Sequence, residues 1–208
     1  VNMAGTIFLL IRHGAVDTVD ILGGRSPGIH LSPTGRRQAE ALPERLAGLN
    51  IDAIYASPLE RTRETAEPLA AKHGLEIQIF EDALEFDIGG WTGKTFAELE
   101  DDPLWRRFNR FRSETPAPDG ESMIEVQARF AKGLHRLQQE HPGRMVAVFS
   151  HQDVIRAALC LYLGMPLDLF SRLAVDHASV SMVSVHDAGA EIIRINDTEH
   201  WRYSQDGG

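Results

Sequence analysis

The stretch FLLIRHGAVDT, residues 8–18, runs four apolar residues directly into Arg12, His13 and Gly14. A short apolar run of this kind is typical of a buried strand, which we place at residues 6–11. A chain that leaves a hydrophobic interior usually turns with small or polar residues such as Gly, Asn and Asp. Here a guanidinium and an imidazole come first, and their position indicates a chemical role for this strand end.

Two further strand ends repeat the arrangement. The stretch MVAVFSHQD (145–153) leads from an apolar strand to His151 and then into a helix. The stretch IYASP (54–58) leads into a helix that carries Arg61 and Arg63. Ligands of open α/β sheets bind beyond the carboxyl ends of the strands, and helix N-termini attract anions. We therefore expect these side chains to meet at one edge of a sheet.

Together these strand ends place two histidines and at least two arginines where an anion would bind. The planar guanidinium group of arginine matches pairs of phosphate oxygens. Any one of these residues alone has an ordinary interpretation, as a structural histidine or a solvated arginine of a helix. Their occurrence at three independent strand ends favours a pocket for a phosphoryl group.

Strands and helices alternate through most of the chain. Strand patterns occur at 6–11, 51–57, 75–81 and 144–150, and helix patterns at 32–50, 57–74, 124–143 and 153–164. Ser32 and Ser57 are predicted N-caps because each precedes a proline and a helical pattern. An antiparallel pair of strands is expected near the C-terminus. This order predicts an α/β protein whose helices cover both faces of one sheet, with strands of mixed direction at one edge.

Residues 88–120 differ from this pattern, since they hold two of the three tryptophans and several glycines and prolines. We interpret them as an inserted, partly helical lid over the site. The aromatic residues Trp91, Trp105, Phe108 and Phe111 favour a lid core over a platform for substrate. Five basic residues fit either a second anionic group of the substrate or a solvated helix face: Lys94, Arg106, Arg107, Arg110 and Arg112.

The composition limits the partners and the compartment. The chain has 208 residues, a formal net charge of −9 and a single cysteine, Cys160, in an apolar helical pattern. A net negative charge disfavours nucleic acid and anionic membranes as partners. One cysteine forms no internal disulfide, no apolar run reaches the roughly 18 residues of a membrane span, and no signal-peptide pattern occurs. We expect a cytoplasmic protein with a small-molecule partner.

Five sequence blocks carry a family resemblance: LIRHG at 10–14, SPLERTRETA at 57–66, LEFDIGGWTG at 84–93, DGES at 119–122 and FSHQDVIRA at 149–157. In this order and at these spacings they resemble the histidine phosphatase superfamily over nearly the whole chain. The resemblance implies a phosphoglycerate mutase-like fold, a three-layer α/β sandwich with a mostly parallel central sheet flanked by helices. It also implies one domain over 1–208 with the lid-like insertion at about 88–120.

The resemblance assigns roles to five residues. His13 would attack phosphorus and become a phosphohistidine, while Arg12 and Arg61 would hold the phosphoryl oxygens. His151 would donate a hydrogen bond to the phosphoryl group as the second catalytic histidine. Glu85 would protonate the leaving oxygen and then activate water. Asp87, two residues further on, is the alternative proton donor.

Some positions depart from the commoner family pattern. Ala15 and Val16 follow Gly14 where many members have polar residues, and Val19 stands near the position of a family asparagine. These differences remove polar groups that often line the phosphate pocket in the family.

Three further residues are possible substrate contacts. Arg25 either contacts substrate or is a solvated turn residue, and Gln152 either reaches the phosphate or caps its helix. Ser179 lies where the family often has a small residue near the phosphate. For the neighbouring His177, a structural role is favoured over substrate contact.

The resemblance implies a metal-independent phosphomonoester hydrolase that acts through a phosphohistidine on a small phosphorylated metabolite, without a cofactor. The remaining histidines lack the spacing of a metal site. Two alternatives stay open, a phosphoglycerate mutase and a catalytically silent phosphate-binding protein. The stretch EFDIGG (85–90) resembles the phosphatase branch more than the mutases. An apolar C-terminal hairpin is a possible homodimer contact.

Overall fold

The computed structural model describes residues 5–17 and 20–199, and the strands of this part form one six-stranded sheet. The strands are β1 (Thr6–Arg12), β2 (Ala53–Ala56), β3 (Ile77–Ile79), β4 (Met145–Ser150), β5 (Val180–His186) and β6 (Gly189–Asp197). Their lateral order is β3-β2-β4-β1-β5-β6. The first four strands run parallel to one another, β5 runs antiparallel to β1, and β6 runs antiparallel to β5. The predicted α/β class, with mixed strand directions at one edge, is confirmed.

Helices cover both faces of the sheet. They are α1 (Pro33–Arg45), α2 (Glu60–His73), α3 (Phe96–Leu99), α4 (Pro103–Arg110), α5 (Met123–Glu140) and α6 (Gln152–Leu163). The alternation of side chains along β1 divides the core in two. Phe8 and Leu10 belong to a core shared with α5, α6 and the 88–120 segment, while Leu9 and Ile11 belong to a core shared with α1 and α2. These three layers match the predicted sandwich.

The pairing of β1 with β4 positions the site. Arg12 lies opposite Ser150 in the parallel register, so both strands end at the same level of the sheet. The next residues, His13 and His151, therefore leave the sheet side by side. The prediction that these strand ends meet at one edge is confirmed.

One predicted helix start is wrong. The capping prediction holds for α1, where the Ser32 hydroxyl accepts from the Gly35 amide at 3.0 Å and Pro33 is the first helical residue. By contrast, α2 begins at Glu60, and its N-cap Leu59 makes no side-chain capping bond. The Ser57 hydroxyl lies 2.8 Å from Nε2 of His151 and is used there instead.

The 88–120 segment is partly helical, as expected, and folds around aromatic side chains. Trp91 and Phe108 are almost fully buried with ring centroids 5.1 Å apart, whereas Phe111 is 40% exposed and is not part of this cluster. The guanidinium of Arg112 lies 4.2 Å from the centroids of both Phe108 and Phe170. This sandwich joins the segment to the body of the protein.

Two other expectations concern the single cysteine and membrane-spanning helices. Cys160 is a free, fully buried thiol, as its apolar surroundings in the sequence predicted. In the described part of the chain, no helix combines the length and apolar character needed to cross a bilayer.

Candidate active site

The two histidines at the strand ends face each other. The ring centroids of His13 and His151 are 5.3 Å apart, and both side chains are buried. His13 follows β1 directly, and His151 follows β4 and is the N-cap residue of α6. Their proximity is a direct consequence of the parallel register between the two strands.

The backbone that carries His13 is held tightly. The Gly14 amide donates to the Thr65 hydroxyl at 3.0 Å, and the Ala15 amide donates to Oε1 of Gln38 at 2.8 Å. A Cβ atom on Gly14 would lie 2.7 Å from the carbonyl oxygen of Gly35, so only glycine fits against the start of α1. His13 therefore projects from a rigid turn.

His13 has the tautomer and charge that a nucleophile needs. Its Nδ1 lies 2.8 Å from the carbonyl oxygen of Gly14, which can only accept, so Nδ1 carries the proton and Nε2 keeps its lone pair. Burial, and then the charges of Arg61 and Arg12, hold the pKa of His13 well below its usual value. The imidazole is accordingly neutral near pH 7.

Two arginines supply positive charge beside this ring. Arg12 donates from Nη1 to the carbonyl oxygen of Val175 at 2.7 Å, and Arg61 donates from Nη2 to that of Gly24 at 2.8 Å. Among the described residues, Nε of Arg12 and Nη1 of Arg61 are buried without a hydrogen-bond partner. Burial lowers the pKa of Arg12 to about 10, so it stays charged at neutral pH. Unsatisfied buried donors of this kind suit the oxygens of an anion.

Glu85 is the carboxyl group beside the two histidines. Its Oε1 accepts from the Phe86 amide at 2.8 Å, and its Oε2 is 3.5 Å from Nδ1 of His151. Burial, followed by the charge of Asp153, raises the pKa of Glu85 to about 7. A carboxyl group with this pKa can both donate and accept a proton near neutrality.

Asp87, the alternative proton donor, has a different environment. It accepts from the Gly89 amide at 3.0 Å and lies 3.5 Å from Nη1 of Arg25. It does not line the cavity at His13, whereas Glu85 does. The geometry favours Glu85 over Asp87.

These groups surround a cavity of about 360 Å³. The described residues that line it are Arg12, His13, Val16, Ile21, Gly23, Gly24, Ile29, Arg61, Glu85, Phe96 and His177. The lining combines cationic and titratable groups with apolar side chains and glycines. The side chain of His151 is fully buried behind this surface.

Three residues predicted as possible substrate contacts do not line this cavity. Arg25 lies 2.8 Å from Glu121 and donates from Nε to the carbonyl oxygen of Glu85 at 2.8 Å. Gln152 donates to the carbonyl oxygen of Val175 at 3.0 Å. Ser179 is fully buried next to β5. Arg25 and Gln152 thus bond to the protein framework, whereas the buried hydroxyl of Ser179 has no hydrogen-bond partner among the described residues.

The five basic residues of the 88–120 segment also lie away from the catalytic cavity. Arg106 pairs with Asp101 at 2.5 Å, Arg107 lies 4.0 Å from Glu114, and Arg112 is 3.3 Å from Asp153. Arg110 lies over the ring of Phe111, 5.2 Å from its centroid. The sequence left two interpretations open for these residues, a second anionic group of the substrate and a solvated helix face, and none of the five is among the described residues that line the cavity at His13. Arg63, at the third strand end, is exposed.

For His177 the sequence favoured a structural role over substrate contact, and it did not point to Thr65. His177 lines the cavity, its Nε2 lies 2.9 Å from Nη2 of Arg12, and its ring centroid is 5.6 Å from that of His13. Burial and then the charge of Arg12 lower its pKa to about 4. The sequence signal for His177 is its position just before β5, because an antiparallel strand begins at the edge of the sheet where the neighbouring strand β1 ends.

Val19, a predicted departure from the family pattern, lies outside the described residues.

Within residues 5–17 and 20–199, no group of three or more histidine, cysteine, aspartate or glutamate residues is arranged to hold a metal ion. His200 lies outside these residues. The positive charge of the site comes from the two buried arginines.

Comparison with known proteins is consistent with this geometry. A sequence model described as the histidine phosphatase superfamily (branch 1) matches residues 8–198. The chain is 36% identical over 196 residues to the bifunctional protein Rv2228c of Mycobacterium tuberculosis, covering 91% of this chain and 53% of the relative. It thus spans about half the length of that relative.

Two similar proteins are phosphoserine phosphatases. Phosphoserine phosphatase 1 of Hydrogenobacter thermophilus is 32% identical over 197 residues, which is 92% of each chain. The structure of a mutant phosphoserine phosphatase of Entamoeba histolytica, in complex with phosphoserine, superimposes with a TM-score of 0.85 at 25% identity. That comparison covers 94% of this chain and 98% of the other.

Proposed function

The chain belongs to the histidine phosphatase superfamily, and from this premise we propose that it hydrolyses phosphomonoesters through a phosphohistidine at His13. The observation that carries the proposal is the state of His13 in its cavity. A neutral imidazole with a free Nε2 lone pair lies among two buried arginines and a carboxyl group of raised pKa. These are the parts that nucleophilic phosphoryl transfer requires.

In the first step, the Nε2 lone pair of His13 forms a bond to phosphorus while the bond from phosphorus to the ester oxygen breaks. The proton of the Glu85 carboxyl group passes to the departing oxygen, so the alcohol leaves neutral. Arg12 and Arg61 hold the equatorial phosphoryl oxygens, where negative charge is concentrated in the transition state. The products are the free alcohol and phosphohistidine.

In the second step, the Glu85 carboxylate takes a proton from a water molecule as the water oxygen attacks phosphorus. The bond from phosphorus to Nε2 breaks, inorganic phosphate leaves, and both His13 and Glu85 return to their starting states. Because the pKa of Glu85 is about 7, both of its protonation states are populated near neutral pH.

The substrate is proposed to be a small phosphorylated metabolite. The cavity of about 360 Å³ is of the size that holds a small molecule. The phosphoserine phosphatases among its relatives support hydrolysis over the mutase alternative. The convergence of Arg12, His13, Arg61 and Glu85 on one cavity supports an active enzyme over a silent phosphate-binding protein.

Phosphate release tests this proposal directly. The protein is incubated with O-phosphoserine and with p-nitrophenyl phosphate in buffer containing EDTA, alongside the His13→Ala variant. We expect the unmodified protein to release phosphate from at least p-nitrophenyl phosphate and the variant to release none above background. Phosphate release by His13→Ala at the unmodified rate, or turnover only with added divalent metal, would contradict the proposal.

A further inference from the structure

A second cavity adjoins the catalytic one and shares a wall with it. It has a volume of about 880 Å³ and is lined by Asp20, Thr95, Phe96, Ala97, Glu100, Trp105, Arg106 and Asn109. The side chain of Phe96 lines both cavities. The second cavity therefore lies next to the space that a group attached to a phosphate at His13 would occupy.

The wall between the cavities carries exposed apolar side chains. Phe96 is 51% exposed, and Ile21, which lines the catalytic cavity, is 47% exposed. The rings of Phe96 and Trp105 have centroids 6.3 Å apart. Exposed apolar groups that cluster beside a reaction centre are typical of a binding surface, because covering them removes apolar area from water.

The wall is held in place by backbone hydrogen bonds. The Leu22 amide donates to the carbonyl oxygen of Lys94, and the Gly93 amide donates to that of Leu22, both at 2.9 Å. Thr95 and Glu98 form a capping box at the start of α3, where Phe96 is the first residue. A preformed apolar wall binds a ligand without the cost of ordering it.

The charges of the second cavity disfavour an anionic group. Among the described residues that line it, Arg106 is the only basic one, and its guanidinium already donates to the carbonyl oxygen of Glu100 and to Asp101. Asp20 and Glu100 contribute two carboxyl groups. A second phosphate or carboxylate on the substrate would be repelled by these carboxyl groups, and the described lining offers no unpaired cation to offset that repulsion.

We propose that the alcohol portion of the substrate is an uncharged, ring-bearing group that lies against Ile21, Phe96 and Trp105. This inference rests on the proposed function, since the phosphate is placed at His13. The expected substrates are therefore phosphomonoesters of apolar, cyclic alcohols. O-phosphoserine, whose serine portion is charged, does not belong to this class.

The test compares two esters with similar leaving-group chemistry, 2-phenylethyl phosphate and ethyl phosphate, together with O-phosphoserine. Burial of a phenyl ring is expected to raise kcat/KM for 2-phenylethyl phosphate roughly 10- to 100-fold over that for ethyl phosphate. O-phosphoserine is expected to be a poorer substrate than the phenyl ester. A ratio near one for the two alkyl esters, or a preference for O-phosphoserine, overturns the inference and leaves the proposed phosphatase activity standing.

Alanine variants of two exposed aromatic residues show which side chain causes the preference for the phenyl ester. Phe96→Ala is expected to lower the kcat/KM ratio of the two alkyl esters by roughly 5-fold or more. Phe111→Ala is the matched control, because Phe111 is 40% exposed in the same segment but lines neither cavity. An unchanged ratio in Phe96→Ala, or an equal fall in Phe111→Ala, would refute the assignment.

Binding of non-hydrolysable phosphonates separates this inference from the proposed function. Calorimetry measures the Kd of 2-phenylethylphosphonate and of ethylphosphonate for the unmodified protein and for Phe96→Ala. Tighter binding of the phenyl compound, lost in the variant, supports the ring-binding wall even if no ester is hydrolysed. Equal binding of the two phosphonates overturns it whether or not the protein turns over.

Discussion

Nε of Arg25 donates a hydrogen bond of 2.8 Å to the backbone carbonyl oxygen of Glu85. Arg129 donates to the same oxygen at 3.2 Å, and both guanidinium groups also pair with Glu121. The loop that carries the proposed proton donor is thus held from two sides. The sequence left substrate contact and a solvated turn open for Arg25, and its observed contact with the Glu85 backbone suggests a third role, the positioning of Glu85.

Removing the side chain of Arg25 should slow proton transfer from Glu85 more than it weakens substrate binding. We expect Arg25→Ala to lower kcat by about 10-fold for esters with poor leaving groups, with little change in KM, because Glu85 loses its fixed position. Arg25→Lys should recover part of the loss. Steady-state kinetics on alkyl and nitrophenyl phosphates measure the effect, and Arg37→Ala, on an exposed arginine of α1, is the control. An equal loss for both leaving groups would argue against a positioning role.

The acid assignment is tested by isosteric variants. Glu85→Gln should lower kcat roughly 10²- to 10⁴-fold for alkyl phosphates and much less for p-nitrophenyl phosphate, whose leaving oxygen needs no proton. Asp87→Asn is the matched comparison, because it lies two residues away and does not line the cavity. Leaving-group dependence in Asp87→Asn, and none in Glu85→Gln, would reverse the assignment.

The raised pKa of Glu85 predicts a pH profile. The proton-donating form is lost as pH rises through about 7, so kcat/KM for alkyl phosphates should fall above that pH. The charge of Asp153 contributes to the raised pKa, and Asp153→Asn should therefore move this descending limb to lower pH. If kcat/KM falls at the same pH in Asp153→Asn as in the unmodified protein, the charge of Asp153 does not raise the pKa of the proton donor.

Arg112 is predicted to stabilise the attachment of the 88–120 segment. Arg112→Ala should lower the free energy of unfolding by about 2–4 kcal/mol, because it removes stacking on Phe108 and Phe170 and one of the two arginines that pair with Asp153. Arg107→Ala, at an exposed ion pair, should cost less than about 1 kcal/mol. Urea unfolding measures both values, and equal losses would contradict the structural role of Arg112.

The parts of the site predicted from the sequence are those that depend on strand ends. Arg12, His13 and His151 follow apolar strands, and parallel pairing brings such ends together without further information. Local pattern was sufficient for these three residues. For the helix that follows β2, the same pattern offered both Arg61 and Arg63, and the family resemblance was needed to choose Arg61.

The remaining parts depend on contacts between distant segments, which local pattern does not reveal. Ser57 has the sequence of an N-cap, yet its hydroxyl lies at His151, 94 positions away in the chain. Arg25 has the sequence of a turn residue, yet its partners come from residues 85–121. In both cases a tertiary contact takes priority over the local preference of a polar side chain.

Rapid-quench trapping with ³²P-labelled p-nitrophenyl phosphate shows whether the reaction passes through a phosphohistidine at His13. We expect a transient, acid-labile and base-stable label on the peptide that contains His13, formed in EDTA and absent from His13→Ala. Label on any other side chain, or turnover that never passes through a labelled protein, would contradict it.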